Sequence, residues 1–141
     1  MLGINRDLVE DRLAFITRCL EALERLAAVD RAAFASDDVR TAAAESYLRR
    51  SLEAVFDIGR HLVAKSGYRR LASEYKSIAK GLVEIGAVGG ELGEKLVDMA
   101  GYRNRLVDLY DEVTADELYS ILSSELEDFR RFVRAIRDYL A

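Results

Sequence analysis

Apolar residues recur along this chain at helical rather than strand spacing. Leu8, Phe15, Ile16, Leu20, Leu23 and Leu26 fall on one helix face, which predicts a first helix from about Asn5 to Val29 with Asn5 as its N-cap. Asp30 to Ser36 reads as a loop. Ser36 or Asp37 then caps a long helix that ends near Ser66-Gly67, where glycine is a natural stop. Tyr47, Leu48, Leu52, Val55, Phe56, Ile58, Leu62 and Val63 make this helix apolar over most of its circumference, so it is expected at the centre. Glu53, Asp57, Arg60 and His61 interrupt it. Tyr68 to Ala72 connects to a helix over Ser73 to Ile85, and Gly86 to Gly90 reads as a turn. A helix from Gly90 to Tyr110 follows, broken by Asp111-Glu112-Val113. Thr114 to Glu117 fits a capping box, and the last helix runs from there nearly to Ala141. Leu118, Ile121, Leu122, Leu126, Phe129, Val133, Ile136 and Leu140 form its inward face. The expectation is an all-α, up-and-down bundle of about five helices, one domain over residues 1–141.

Composition sharpens this picture without changing it. Half of the 141 residues are apolar and a third are charged, with no proline to interrupt helices and no tryptophan. The length suffices for a real core. A net charge of −4 argues against wholesale electrostatic binding of nucleic acid, though not against a local basic groove. Cys19 is the single cysteine, which excludes an intramolecular disulfide and a cysteine-based zinc site. It reads as a small core residue. Met1 to Asp7 turns charged at once and no uncharged run would span a bilayer, so a cytoplasmic protein without a membrane segment is expected.

One helix breaks the apolar pattern in an informative way. Leu92, Leu96, Met99 and Leu106 mark an inward stripe whose next step after Met99 is position 103, and that position holds Arg103. Burying an unpaired guanidinium is costly. Arg103 is therefore expected to reach a polar cleft, a ligand, a partner subunit or a carboxylate. Asn104 and Asp108 lie four apart on the adjacent face, and Tyr110 returns to the side of Arg103. Arg103 and Asp108 are about 140° apart on an ideal helix. A site using both must straddle a cleft, draw on two subunits or contain a helix irregularity. Glu53, Asp57 and His61 follow one another at steps of four on the central helix. Di-metal carboxylate bundles need Glu-x-x-His pairs from two helices, and His61 is the only histidine, so no metal site is expected. A network with arginines, or support for Arg103 from the neighbouring helix, fits these residues better. The arginine clusters at Arg49-Arg50, Arg69-Arg70 and Arg130-Arg131 with Arg134 and Arg137 are not ranked by sequence. The chain has no phosphate-binding glycine loop, nucleophile elbow or HExxH.

The run Arg103-Asn104-Arg105-Leu106-Val107-Asp108-Leu109-Tyr110 resembles the signature of HepT-type HEPN toxins: arginine, usually asparagine, four residues, histidine, one residue, tyrosine. Tyr47 to Leu62 is similar to that family's long second helix. The resemblance covers nearly the whole chain. It implies a helical homodimer with a cleft at the interface, and a metal-independent ribonuclease needing no cofactor. It also implies a nucleotidyltransferase antitoxin of the MNT type that adenylylates the motif tyrosine. Arg103 then holds the scissile phosphate, Asn104 supports the site, and Tyr110 is the acceptor. The departure is Asp108, which stands where the family has its catalytic histidine. Histidine titrates near working pH and can both take and give a proton. An aspartate ordinarily titrates near 3.9 and is a poor acid at neutral pH. The chain is accordingly expected to be impaired. Asp108 reads as an inactivating substitution, as a degenerate toxin, or as a HEPN fold with another activity. The alternatives are a non-catalytic HEPN module that binds nucleotide or RNA, and a structural dimerising bundle.

Overall fold

The computed structural model describes residues 3–141, with Tyr110 described by its backbone alone. The described residues form seven α-helices and no strand: α1 (Arg6–Leu26), α2 (Arg31–Ala35), α3 (Asp38–Lys65), α4 (Tyr75–Glu84), α5 (Gly90–Asp108), α6 (Ala115–Ser124) and α7 (Leu126–Leu140). Two 3₁₀ turns, Arg69–Ala72 and Tyr110–Glu112, complete the order. The helix starts follow their caps. Asn5, Asp30, Asp37 and Thr114 each accept a backbone N–H three residues on, at 2.8–3.1 Å. Each such cap is worth about 1 kcal/mol.

Seven helices replace the expected five for two physical reasons. The stretch read as a loop contains α2, which turns only Phe34 inward, fully buried and 5.3 Å from the Tyr119 ring. One apolar anchor in five residues leaves no period to read. The last helix is not continuous: it breaks at Glu125, between α6 and α7. Ser123 and Ser124 donate their hydroxyls to the carbonyls of Tyr119 and Ser120, both at 2.8 Å. Such back-bonding weakens a helix and bends it.

The buried side chains form one continuous cluster. α3 lies at its centre, packed on α1, α4 and α5, and α7 closes against α1 and α5. Two features seat α4 correctly. The chain leaves α3 through Gly67 at φ +92°, where Tyr68 N–H reaches the Val63 carbonyl at 3.1 Å and Gly67 N–H reaches Ala64 at 3.2 Å. Further up α3, Gly59 faces Ile78 so closely that a Cβ there would lie 2.5 Å from its Cγ2. The missing side chain lets α4 rest directly on α3.

Candidate functional site

Arg103 lies on α5 between buried Met99 and buried Leu106, so its stem starts inside the apolar stripe. The side chain is 17 % exposed. Three contacts fix it. Nε donates to Glu53 Oε1 on α3 at 2.8 Å. The guanidinium stacks 4.1 Å from the centre of the Tyr75 ring. Nη1 makes a long contact of 3.4 Å with Asn104 Oδ1. Tyr75 is itself braced, with Phe56 edge-on at 5.2 Å and Arg60 over the same ring at 5.6 Å. A guanidinium has five N–H donors. Glu53 and Asn104 engage two, and no described group accepts from Nη2. A carboxylate therefore orients the cation from behind while its terminal donors stay open for a planar or tetrahedral oxyanion.

Arg105, two residues on, is closed. Nη1 and Nη2 bind the two carboxylate oxygens of Glu117 in α6, and this hydrogen-bonded pair raises the guanidinium's pKa further. Glu117 also donates its N–H to the Thr114 hydroxyl. Its carboxylate thus goes to Arg105, so the capping box expected at Thr114 keeps its forward bond while the acid serves as a clamp.

Asp108 is the last residue of α5, and its exposed side chain makes no hydrogen bond or ion pair with another described residue. The helix is regular through Asp108, so Arg103 and Asp108 of one chain do not share a face. The exposed side chains of Val107 and Leu109 flank it. Tyr110 begins a 3₁₀ turn, but its side chain lies outside the described residues.

Of the three residues at steps of four on α3, only Glu53 touches Arg103. Asp57 instead pairs with Arg12 at 3.5 Å and Arg60 at 3.4 Å. It shares with Glu53 a groove of about 430 Å³ between α1 and α3, lined also by Asp11, Arg18 and Arg50. His61 is drawn away: its Nε2 accepts the backbone N–H of Asn5 at 2.9 Å. Burial and the charge of Lys65 lower its pKa, disfavouring the charged ring. Tyr75 is the residue that sequence reasoning missed, because its place under Arg103 exists only once α4 packs on α3. A second small cavity of about 250 Å³ joins Lys76 of α4 to Tyr102 and Arg105 of α5. Burial pushes the Tyr102 phenol up. Burial also raises the Cys19 thiol, consistent with a packed core residue. Among the described residues no cluster of three or more His, Cys, Asp or Glu is arranged to hold a metal, and no helix is long and apolar enough to cross a membrane.

Residues 16–136 match the family described as ribonuclease HepT-like. The chain belongs to the HepT-like family. It is 25% identical over 143 residues to the tRNA nuclease HepT of Aphanizomenon flos-aquae, covering 99% of this chain and 95% of that protein. It is 26% identical over 131 residues to the mRNA nuclease HepT of Shewanella oneidensis, covering 93% and 97%. The fold is similar to that of the tri-AMPylated Shewanella oneidensis HEPN toxin solved in complex with MNT antitoxin, with a TM-score of 0.82 at 25% identity over 96% of this chain and 99% of that one. In this HepT-like chain, the carboxylate of Asp108 sits at a helix C-terminus, where the backbone dipole favours a cation such as histidinium over an anion.

Proposed function

We propose that this single-domain HepT-like chain is the toxin half of a HEPN/MNT-type pair, built to cleave RNA without a metal in the cytoplasm and impaired in that chemistry by Asp108. The observation that carries the reading is Arg103, fixed by Glu53 and Tyr75 with its Nη2 unengaged among the described residues. Such a guanidinium suits a phosphodiester. Cleavage requires that the 2′-hydroxyl lose a proton as its oxygen attacks phosphorus, and that the departing 5′-oxygen gain one. Arg103 offsets charge on the phosphate oxygens, and Asn104 steadies the guanidinium. For these two proton transfers an aspartate side chain is a weaker base than histidine and a poor general acid.

The regular helix between Arg103 and Asp108 favours a homodimer, since one chain does not converge both side chains. Exposed Val107 and Leu109 beside Asp108 supply apolar surface for that contact. Tyr110 is the acceptor for adenylylation by the nucleotidyltransferase antitoxin in this reading, following the relative solved in AMPylated form with an MNT antitoxin. Asp108 also supports a second reading, an RNA-binding HEPN module that does not cut. The test is RNA cleavage with chelator present by the native chain and by Asp108→His. Recovery of general acid–base catalysis is expected to raise the rate by about 10² to 10⁴. Absence of cutting by both, with RNA still bound, favours the module. Cutting by the native chain overturns the impairment.

A further inference from the structure

We propose that the segment from Lys65 to Lys80 is a track for single-stranded RNA that leads to Arg103. The proposal rests on the reading of Arg103 as an RNA phosphate site, and adds where the strand lies beyond the scissile bond.

The charge of this chain is unevenly placed. Residues 65–80 hold five cations against one acid, Glu74, in a protein of net charge −4, so the remaining 125 residues carry −8. The arginine clusters that sequence left unranked now separate. On α7, Arg130 pairs with Glu24, Arg131 with Asp128, Arg134 with Glu127 and Arg137 with Glu10. Arg50 lines a groove shared with Asp11, Glu53 and Asp57. Arg69 and Arg70 are exposed on the 3₁₀ turn and have no ion pair among the described residues. Unlike the arginines of α7, they leave their charge without an acidic partner among the described residues.

The local backbone gives this patch a form that fits RNA. The turn at Gly67 puts Tyr68 just outside α3, with 41% of its surface exposed, directly before the two arginines. An exposed aromatic ring beside unpaired guanidiniums offers a stacking face and phosphate contacts together. A duplex hides its base faces, whereas an unpaired strand presents them. The far end of the segment meets the site. Tyr75 lies under Arg103, and Lys76 lines a small cavity together with Asp98, Tyr102 and Arg105. From Arg70 to Tyr75 the chain spans at most about 18 Å, so one strand crossing Tyr68 and Arg69-Arg70 reaches Arg103 within a few nucleotides.

The test measures binding of a short, labelled, mixed-sequence single-stranded RNA to the native chain as salt is raised. Arg69→Gln with Arg70→Gln is expected to flatten the slope of log affinity against log salt by roughly 1.4, two phosphate contacts at about 0.7 each. Tyr68→Ala is expected to weaken binding about fivefold or more with that slope unchanged. Arg134→Gln, on α7, should bind like the native chain. In the Asp108→His protein the paired glutamine substitutions should raise KM with little change in kcat. Unchanged RNA affinity in Arg69→Gln with Arg70→Gln, while Arg103→Ala weakens it, overturns the track and leaves the ribonuclease reading standing. Unchanged RNA affinity with lost binding to the nucleotidyltransferase also overturns it, making the patch a protein surface. No RNA binding by the native chain and no cutting by Asp108→His removes both readings together.

Discussion

Arg103 and Arg105 leave the same helix two residues apart and meet opposite fates. Arg105 spends both terminal nitrogens on the two oxygens of Glu117, tying the end of α5 to the first turn of α6. Arg103 gives its Nε to Glu53 and its flat face to Tyr75, and keeps terminal donors open. Both side chains have a carboxylate partner, so the presence of an ion pair does not separate scaffold from site. The difference lies in which nitrogens are used. A fork-to-fork pair is complete in itself, whereas a pair through Nε orients a fork that is still able to bind an oxyanion.

The sharpest way to break this comparison is to truncate each arginine in the Asp108→His protein. Arg103→Ala is expected to lower kcat for RNA by about 10² to 10³, the usual loss when one donor to a transition-state oxyanion is removed. Arg105→Ala should leave kcat per folded molecule within a fewfold and instead lower the thermal midpoint, with Glu117→Gln giving the same fall. If Arg105→Ala abolishes cutting in protein that is fully folded by circular dichroism, the division between clamp and site is wrong.

A second prediction concerns what sets Tyr75 beneath Arg103. Gly59→Ala places a methyl group within 2.5 Å of Ile78 Cγ2 and pushes α4 off α3. Overpacking of this kind costs about 1–3 kcal/mol, readable as a lower urea midpoint with little change in m. In the Asp108→His background it should also raise KM, since Tyr75 moves with α4.

These two arginines also mark how far the sequence reaches. The stripe of Leu92, Leu96, Met99 and Leu106 singles out Arg103 as out of place, because a helix period is local and needs no tertiary knowledge. The caps at Asn5, Asp37 and Thr114 are legible for the same reason, being set within four residues. Tyr75 is not legible, since its role depends on packing between α3, α4 and α5. The triplet Glu53, Asp57 and His61 has a correct helical spacing, yet its members face Arg103, Arg12 and Asn5 respectively. Spacing gives a common face of one helix, and neighbours on that face then divide it among themselves. The Glu125 break was hidden because the apolar stripe continues across it, while the serine hydroxyls that bend the chain carry no periodic signal.

A smaller effect sharpens the Arg103 side of the comparison. The stacked contact with Tyr75 is worth about 0.5–1 kcal/mol at a partly exposed site. Tyr75→Leu keeps much of the apolar contact with Phe56 but removes the ring, and should raise KM for RNA about two- to fivefold in the Asp108→His protein. Tyr75→Phe keeps the ring face and should restore the value. Equal losses in both variants would point to the hydroxyl, and the stacking account would fall.

The smallest expected effect belongs to His61, the member of the triplet that the fold ties to the start of α1. Its Nε2 accepts the Asn5 N–H at 2.9 Å, so only the neutral ring serves. Burial, helped by Lys65, holds its pKa below the ordinary 6.5 in the folded chain. Well above about pH 6.5 the ring is neutral in both folded and unfolded states and stability is insensitive to it. As pH falls below that value the unfolded chain takes up a proton that the folded chain resists, so stability declines until the folded pKa is also passed. The thermal midpoint should therefore drop on mild acidification in the native chain, with a shallower drop in His61→Gln. Hydrogen exchange at the start of α1 should speed up over the same range, because the Asn5 N–H loses its acceptor. If His61→Gln follows the native curve, this histidine does not govern the acid response. If instead His61→Gln abolishes cutting in Asp108→His protein without altering the pH response, the ring belongs with Arg103 after all, and the contact with Asn5 is not its working state.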